Sequence, residues 1–329
     1  MNEFIFFLNK VIISGATLGS VYALGAVGVT LIFGILRFAH FAHGDMMTLG
    51  AFISFMLVGV FQSLGIQTPL PTGFIVLPFA MAITAGLALG IDKGFYQPLR
   101  AKGVKTVTLL IASIGVTLML QGLIRLFAGT ATRSFFENEP KDLFRYKLPI
   151  EGVRSINISE PQILVILTTI VAVLVLHFFL TRSRIGKGMR AMADNPSLAQ
   201  VSGINTAGVV RATWIIAGSL AAMAGTMLAL DVILKPDLAF NIVLPIFAAA
   251  VVGGLGHSYG AIAGGFLIGF AETMSVFNWS IMFRGYDMPE WFPSDLSLVP
   301  TEYKLTVAFI ILVVVLLVRP QGIFKGASS

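Results

Sequence analysis

The sequence predicts an all-α, polytopic membrane protein with about eight to nine membrane-crossing segments, one of them a broken or half-length helix. Three observations carry this. Of 329 residues, 56% are hydrophobic and only 12% charged, against about 25% charged in a typical soluble domain, and half the usual charge does not clothe a soluble globule of this size. Apolar runs near the length that crosses a bilayer, about 20 residues, recur along the chain. Thirty-four glycines and 27 phenylalanines suit helices that pack backbone to backbone and bury rings in lipid. A soluble enzyme, a disordered chain and a coiled coil are excluded. Zero cysteines exclude a disulfide framework, a thiolate metal site and a Cys nucleophile. The net charge of +6 comes with no basic run interleaved with aromatics, so it does not indicate nucleic acid.

The N-terminus, Met1-Asn2-Glu3-Phe4, lacks a basic n-region, and the apolar stretch after it is too long for a signal peptide, so it is expected to be retained. In chain order the candidate spans are Val11–Leu36, Met46–Phe61, Phe74–Ile91, Thr106–Phe127, Ile163–Leu180, Val209–Leu230, Ala261–Phe277 and Leu305–Val318. The first is either one helix or two elements broken at its glycines. Ile242–Leu255 is shorter and rich in small residues, a partial or broken span.

Lys and Arg counts orient the loops. Asp92–Lys105, Arg182–Thr206 and the tail from Arg319 together hold ten Lys/Arg against two Asp/Glu. Gly129–Gln162, Asp231–Asn241 and Trp279–Lys304 hold eight against eleven, and the loop near Pro69 and Pro71 is chargeless. The first group is therefore expected in the cytoplasm, with the C-terminus inside and, by parity, the N-terminus outside. The longest polar stretch, residues 129–162, contains Pro140, Pro149 and Pro161 and reads as an extracytoplasmic loop or small lid. A docking role toward an external protein is the sharper alternative. Its Asn157-Ile158-Ser159 fits the N-glycosylation pattern, which on the loop or lid reading is a chance match.

Small residues mark close helix contacts. Gly15 and Gly19 are four apart, as are Gly86 and Gly90. The densest run, Gly253-Gly254-Leu255-Gly256 onward to Gly260, Gly264, Gly265 and Gly269, places Gly256, Gly260 and Gly264 on one helical face. It contains no G-x-G-x-x-G and follows no strand, so a tight turn between a half-length segment and a full helix fits better than a dinucleotide loop. Broken helices of this kind line substrate paths in transporters. Arg37-Phe38-Ala39-His40-Phe41-Ala42-His43-Gly44-Asp45 separates two apolar segments with almost no loop. Zinc would need three or four protein ligands, and only Asp45 stands near the two histidines. The bland reading is a cytoplasmic-side turn capping the next helix, with Asp45 stabilised by its N-terminal dipole. Glu272 lies inside an apolar span, where an ionised carboxylate is costly unless paired or wetted. It stands as a functional candidate against a hydrated position near the helix end. Arg125 and His177, near span ends, read as snorkelling side chains. So few buried ionisable groups argue against a proton relay.

Residues 181–206 stand apart. Lys187, Met189, Arg190, Met192 and Ala193 form a short amphipathic turn, and Asp194-Asn195-Pro196 stops and restarts the helix. Asn195 or Asp194 caps a second short helix from Pro196 to Gln200, and Gly203 closes the knob. Met189, Met192, Leu198, Val201 and Ile204 are expected at its surface, which suggests docking of a cytosolic partner.

Four motifs resemble the permease subunits of branched-chain amino acid ABC transporters, specifically the shorter permease of the pair. Leu18-Gly19-Ser20-Val21-Tyr22-Ala23-Leu24-Gly25-Ala26 is similar to the first-helix signature, and Phe41-Ala42-His43-Gly44-Asp45-Met46-Met47-Thr48-Leu49-Gly50-Ala51 to the next. Gly186 through Asn205, with Arg190-Ala191 and Asp194-Asn195-Pro196, resembles the coupling loop. Residues 248–256 and Arg319-Pro320-Gln321-Gly322-Ile323-Phe324 resemble the C-terminal signatures. The motifs occur in the expected order over nearly the whole chain. His40 departs from the Asn usual before Phe-Ala-His-Gly, which weakens any role for that position.

The resemblance implies one transmembrane permease domain, residues 1–329, with 129–162 outside and 182–206 as the cytoplasmic coupling loop. It implies a multi-pass protein of the bacterial inner membrane, working with a second related permease, two cytosolic ATPases, an extracytoplasmic substrate-binding protein and membrane lipid. No cofactor, metal or catalytic residue is expected. The chain lacks G-x-x-x-x-G-K-[ST], so ATP chemistry falls to partners. Gly186, Met189, Arg190, Ala191, Met192, Asp194, Asn195, Pro196, Leu198 and Gly203 become the ATPase-coupling residues, with Arg190 as electrostatic anchor and Met189, Met192 and Leu198 filling a groove. His43, Gly44, Asp45, Gly253, Gly254, Gly256 and Glu272 are the pathway or gating candidates. Branched-chain amino acids lead as cargo over urea, short amides and other amino acids, since no ring of fixed charge demands a charged solute. Two other classes stand beside this one: a self-contained channel or proton-coupled carrier using Asp45, His43 and Glu272, and an intramembrane enzyme, for which no paired nucleophile and base is found.

Overall fold

The computed structural model describes residues 2–66, 70–137, 141–147, 155–283 and 293–324. Pro69, Pro140 and Pro149, residues 138–140 and 148–154 of the 129–162 loop and residues 284–292 of the Trp279–Lys304 loop lie outside the described residues. Among the described residues seven helices are long and apolar enough to cross a membrane. The first, α1, runs unbroken over Asn2–Leu36 with a π-helical turn at Leu8–Ile13, so its glycines do not divide it. They serve close packing instead: a Cβ on Gly15 would meet Phe270 and Thr273, and one on Gly19 would meet Phe266.

Next come α2 (His43–Ser63) and α3 (Leu77–Ile91), which continues through a π-helical turn, Asp92–Tyr96, into Gln97–Ala101. Then follow α4 (Thr106–Ala128) and a short antiparallel pair, β1 (Leu143–Tyr146) and β2 (Ile156–Ser159), in register Leu143 to Ser159. The expected lid thus contains a hairpin-like pair. Helix α5 (Glu160–Arg182) begins where the Ser159 N–H donates to Gln162 Oε1 at 3.1 Å and Pro161 occupies the first turn, where a missing N–H costs nothing.

After α5 come α6 (Arg184–Asp194), α7 (Pro196–Val201) and α8 (Thr206–Asp231). The half-length segment is α9 (Phe240–Gly253), only 14 residues with Pro245 inside it. A turn with Gly254 at φ 107 and Gly256 at φ 86 leads into α10 (Ser258–Val276), and α11 is Lys304–Val318. Gly256 therefore sits in the turn, and only Gly260 and Gly264 share the helix. The expected tight turn between a short segment and a full helix is present.

Burial sorts the helices. The central pair, α1 and α8, are 89% and 83% buried over their apolar windows, whereas α5 and α11 are 22% and 6% buried. Helix α10 packs along α1, and α8 against α1, α2 and α3. At the α8 crossings Gly50 meets Ala222, and Gly218 meets Thr84, Ala85 and Ala88. Gly86 and Gly90, expected at a helix contact, face open space. The contact there uses the opposite face of α3, and the small residue that permits it is Gly218 on α8. Two ends of the molecule result. At the N-terminal end Phe7 packs edge-on against Phe277, with ring centroids 5.4 Å apart, and Asn9 bonds to Ser155 and Asn157. At the other end lie α6, α7, the Gly254 turn and the tail, where Ile323 N–H donates to the Val252 carbonyl.

Candidate functional site

Helix α1 serves as a ruler for the pathway candidates. Glu272 bonds to Tyr22, His43 presses on Gly28, and Gly256 lies against Gly34. Six residues separate each station, so they are spaced about 9 Å along the axis and each is turned by roughly two-thirds of a revolution from the last. Glu272, the His43-Gly44-Asp45 group and the Gly253-Gly254-Gly256 turn therefore occupy three levels and three faces. The structure does not gather them into one site. Among the described residues no group of three or more His, Asp or Glu side chains is placed to hold a metal ion.

The segment after α1 is no simple cytoplasmic-side turn. Arg37 adopts a left-handed conformation, φ 57, the one non-glycine residue with positive φ among the described residues. The chain then doubles back. Phe41 N–H donates to Ser113 Oγ at 3.2 Å, and His43 reaches Gly28, eight residues and about 12 Å below the end of α1. His40 is fully buried, edge-on to Trp214 at 5.0 Å and Tyr96 at 5.4 Å, while Tyr96 and Trp214 stack at 5.3 Å. Burial, and after it the neighbouring His43, hold the His40 imidazole well below the usual histidine range. Asp45 occupies the first turn of α2, where the dipole favours it, but no side chain caps the helix end. Its polar neighbours are Gln121 and Arg125, and Arg125 donates to Gln121 at 3.4 Å. Gly44 lies against Val243 and Ala239 at the start of α9.

Beside this segment Arg100 pairs with Asp92 at 2.7 Å. Burial raises the Asp92 carboxyl above its ordinary range, and the Arg100 guanidinium partly offsets that rise.

The α6–α7 knob forms from two side-chain caps. Ser183 accepts from Gly186 N–H at 2.8 Å and Asn195 from Leu198 N–H at 3.0 Å, and Gly203 closes the unit at φ 80. Arg190, Asp194, Asn195 and Pro196 are exposed and Ala191 is half-buried. Leu198 is 63% and Val201 87% exposed. Met189 and Met192, expected at the surface, are 2% and 5% exposed. Their face is the inner one, because Gly186 fits under Phe179 and Leu180 of α5 and Gly188 fits against Ile204 and Val209. The methionines fill this chain's own core and do not present themselves to a partner. A cleft of about 430 Å³ beside α6 is lined by Arg184, Ile185, Lys187, Ile204, Asn205 and Val209 among others. Sequence reasoning missed Arg37, whose guanidinium donates to the Ala193 carbonyl and ties the doubled-back segment to α6.

The Glu272 side chain is fully buried. Tyr22 Oη donates to Oε2 at 2.9 Å, and Lys304 Nζ lies 3.5 Å from the same oxygen. The partners are 250 and 32 residues away in sequence, so no local pattern announces them.

The sequence family described as "Branched-chain amino acid transport system / permease component" matches residues 11–316. The branched-chain amino acid permease LivH of Escherichia coli K12 is 32% identical over 328 residues, covering 98% of this chain and 96% of that protein. BraD of Pseudomonas aeruginosa, named likewise, is 30% identical over 98% of this chain and 97% of its own length. A galactose/methyl galactoside import permease, MglC of Haemophilus influenzae, is 26% identical over 87% of this chain and 82% of its own. No solved structure matches.

Proposed function

The chain belongs to the family of permease components of branched-chain amino acid transport systems, and from that premise we propose that it is the membrane-spanning subunit of an ATP-binding-cassette importer for Leu, Ile and Val. The family is one of transport permeases, not catalysts. In this reading residues 1–329 act as one transmembrane unit beside a second related permease. Two cytosolic ATPases hydrolyse ATP, and an extracytoplasmic binding protein delivers cargo.

The observation that carries the reading is the α6–α7 knob. It is rigidly capped, it exposes Leu198, Val201 and Arg190, and it belongs to the end that the Lys/Arg count assigns to the cytoplasm. Leu198 and Val201 supply apolar contact in an ATPase groove and Arg190 supplies charge. Closure of the ATPases then displaces the knob. The Arg37–Ala193 bond passes the displacement to the doubled-back segment and so to α1 and α2, which rock to alternate access. The relatives named for branched-chain amino acids match more of the chain, at higher identity, than the galactose permease, which supports the cargo. The test is reconstitution with copurified partners. ATP-dependent uptake of leucine, but not of urea or galactose, is the expected result. Uptake by this chain alone, without ATPases, overturns it in favour of a self-contained carrier.

A further inference from the structure

At the N-terminal end, α1, α10, α11 and the Trp279–Phe283 turn flank an open cavity of about 350 Å³ lined by Phe6, Lys10, Glu272, Val276, Phe277 and Ile281, with Lys304 also in its lining. Three independent features mark it as more than a packing defect. Glu272 is fully buried, yet among the described residues only Oε2 is engaged and Oε1 has no hydrogen-bond partner. Such an orphan acceptor is expensive unless something fills it. Lys10 is exposed, and among the described residues no hydrogen bond or ion pair engages its ammonium. Lys10 also sits in the π-helical turn Leu8–Ile13, a local irregularity that concentrates at functional sites.

Charge and shape define the occupant. Lys304 neutralises Glu272, which leaves Lys10 as uncompensated positive charge and Oε1 as an unfilled acceptor. Phe6, Val276, Phe277 and Ile281 offer an apolar wall. A second, more polar cavity of about 570 Å³ adjoins the first through Phe6 and Lys10 and is lined by Asn9, Ser14, Ser155, Asn157 and Gln162. Through the second cavity the first therefore adjoins hydrogen-bonding side chains of the loop region, Ser155 and Asn157.

We propose that this cavity is a receiving site for a free zwitterionic α-amino acid with an aliphatic side chain: the α-ammonium donates to Glu272 Oε1, the α-carboxylate pairs with Lys10, and the side chain packs on Phe6, Val276, Phe277 and Ile281. This rests on the permease reading and on its outward placement of the N-terminal end. The site would take cargo released there by the binding protein.

The test is equilibrium binding of L-leucine to the full chain purified in detergent, with leucinamide and 4-methylpentanoate as probes lacking the carboxylate charge or the ammonium. Saturable leucine binding is expected, weakened at least tenfold by Lys10→Gln and by Glu272→Gln. Leucinamide should be indifferent to Lys10→Gln, and 4-methylpentanoate indifferent to Glu272→Gln. Lys10 is exposed, so its variant keeps the test decisive where the buried Glu272 change impairs folding. Unchanged leucine affinity in Lys10→Gln overturns the site, as does absence of saturable binding to folded wild type. Displacement of leucine by phosphatidylethanolamine at matched occupancy assigns the cavity to a lipid headgroup and also overturns it. Uptake by the assembled importer separates the two levels. Normal leucine uptake and KM in Lys10→Gln removes the site and leaves the permease reading intact, whereas no uptake by the wild-type importer removes that reading itself.

Discussion

The guanidinium of Arg37 donates to the carbonyl oxygen of Ala193, and so joins the end of α1 to the last turn of α6. Arg37 holds a left-handed conformation to do so, which costs a non-glycine residue roughly 1–2 kcal/mol. Hydrogen bonds from charged groups contribute about 1.5–3 kcal/mol, enough to offset that strain. Arg37→Gly removes both bond and strain, while Arg37→Ala removes only the bond. Thermal unfolding in detergent should therefore order the proteins wild type, Arg37→Gly, Arg37→Ala, from most to least stable. In the assembled importer both variants should retain ATP hydrolysis and lose leucine uptake. Wild-type uptake in Arg37→Gly would remove Arg37 from the transmission.

Glycines that look alike in sequence separate sharply in the fold. A Cβ on Gly225 would collide with the Met47 carbonyl and one on Gly264 with the Ala249 carbonyl, whereas Gly86 and Gly90 face nothing. Overpacking against backbone costs about 1–3 kcal/mol, and replacing an unconstrained helical Gly by Ala gains roughly 0.5–1 kcal/mol. Gly225→Ala and Gly264→Ala should lower the unfolding temperature and the yield of monodisperse protein. Gly86→Ala should hold or raise both.

The buried triad at the N-terminal end has its own ranking. Removing one partner of a buried ion pair strands the other charge, at about 3–5 kcal/mol for a fully buried pair. Lys304 is a third exposed, so solvent screening lowers that figure. Lys304→Met should still destabilise the protein more than Tyr22→Phe, which removes one hydrogen bond to Glu272. The double variant Lys304→Met, Glu272→Gln should recover much of the loss. Thermal melts of wild type, Lys304→Met, Glu272→Gln and the double variant form the cycle, and additive single effects would show that the contact carries no coupling.

The spans were legible because a helix in lipid must be apolar for its whole length; seven of the eight expected spans fall on helices able to cross, whereas Phe74–Ile91 is interrupted at Val76, between Thr72–Ile75 and the 15-residue α3. The start of α1 shows the limit. Its first turns extend nine residues before Val11 because Asn9 is satisfied by Ser155 and Asn157, partners that no hydropathy window sees. The doubled-back segment was illegible for the same reason: Arg37 at positive φ carries no glycine signal, and a bond 156 residues distant holds it. Amphipathicity marked the knob but not which face turns inward. Gly186 and Gly188, on the methionine side, were the overlooked clue, since small residues mark the face that approaches a neighbouring backbone.

The pH dependence of stability follows from His40. Its imidazole is fully buried, and burial holds it well below the usual histidine range. The unfolded chain therefore takes up a proton near pH 6.5 that the folded chain refuses. This contribution to stability is present above that pH and is lost as pH falls toward the lowered folded value. The unfolding temperature should drop between pH 7.5 and 5.5. His40→Phe, which keeps a ring against Trp214 and Tyr96, should show a shallower drop. Parallel curves for the two proteins would assign the slope to other groups.

The knob yields the sharpest contrast, because neighbouring apolar residues on it face opposite ways. Leu198 and Val201 are 63% and 87% exposed, and Met189 and Met192 are 2% and 5% exposed. Exposed substitutions usually change stability by within about 0.5 kcal/mol, whereas a carboxylate forced into the methionine positions is an unpaired buried charge. Leu198→Asp with Val201→Asp should leave the melting curve and gel-filtration profile unchanged while ATPase subunits no longer copurify. Arg190→Glu should act the same way and uncouple hydrolysis from uptake. Met189→Asp should instead lower the melting temperature and the yield before any partner is involved. If the Leu198, Val201 double variant still retains its ATPases at wild-type stoichiometry, the docking surface lies elsewhere. The cleft beside α6, with Arg184 and Lys187 at its edge, is then the next surface to test.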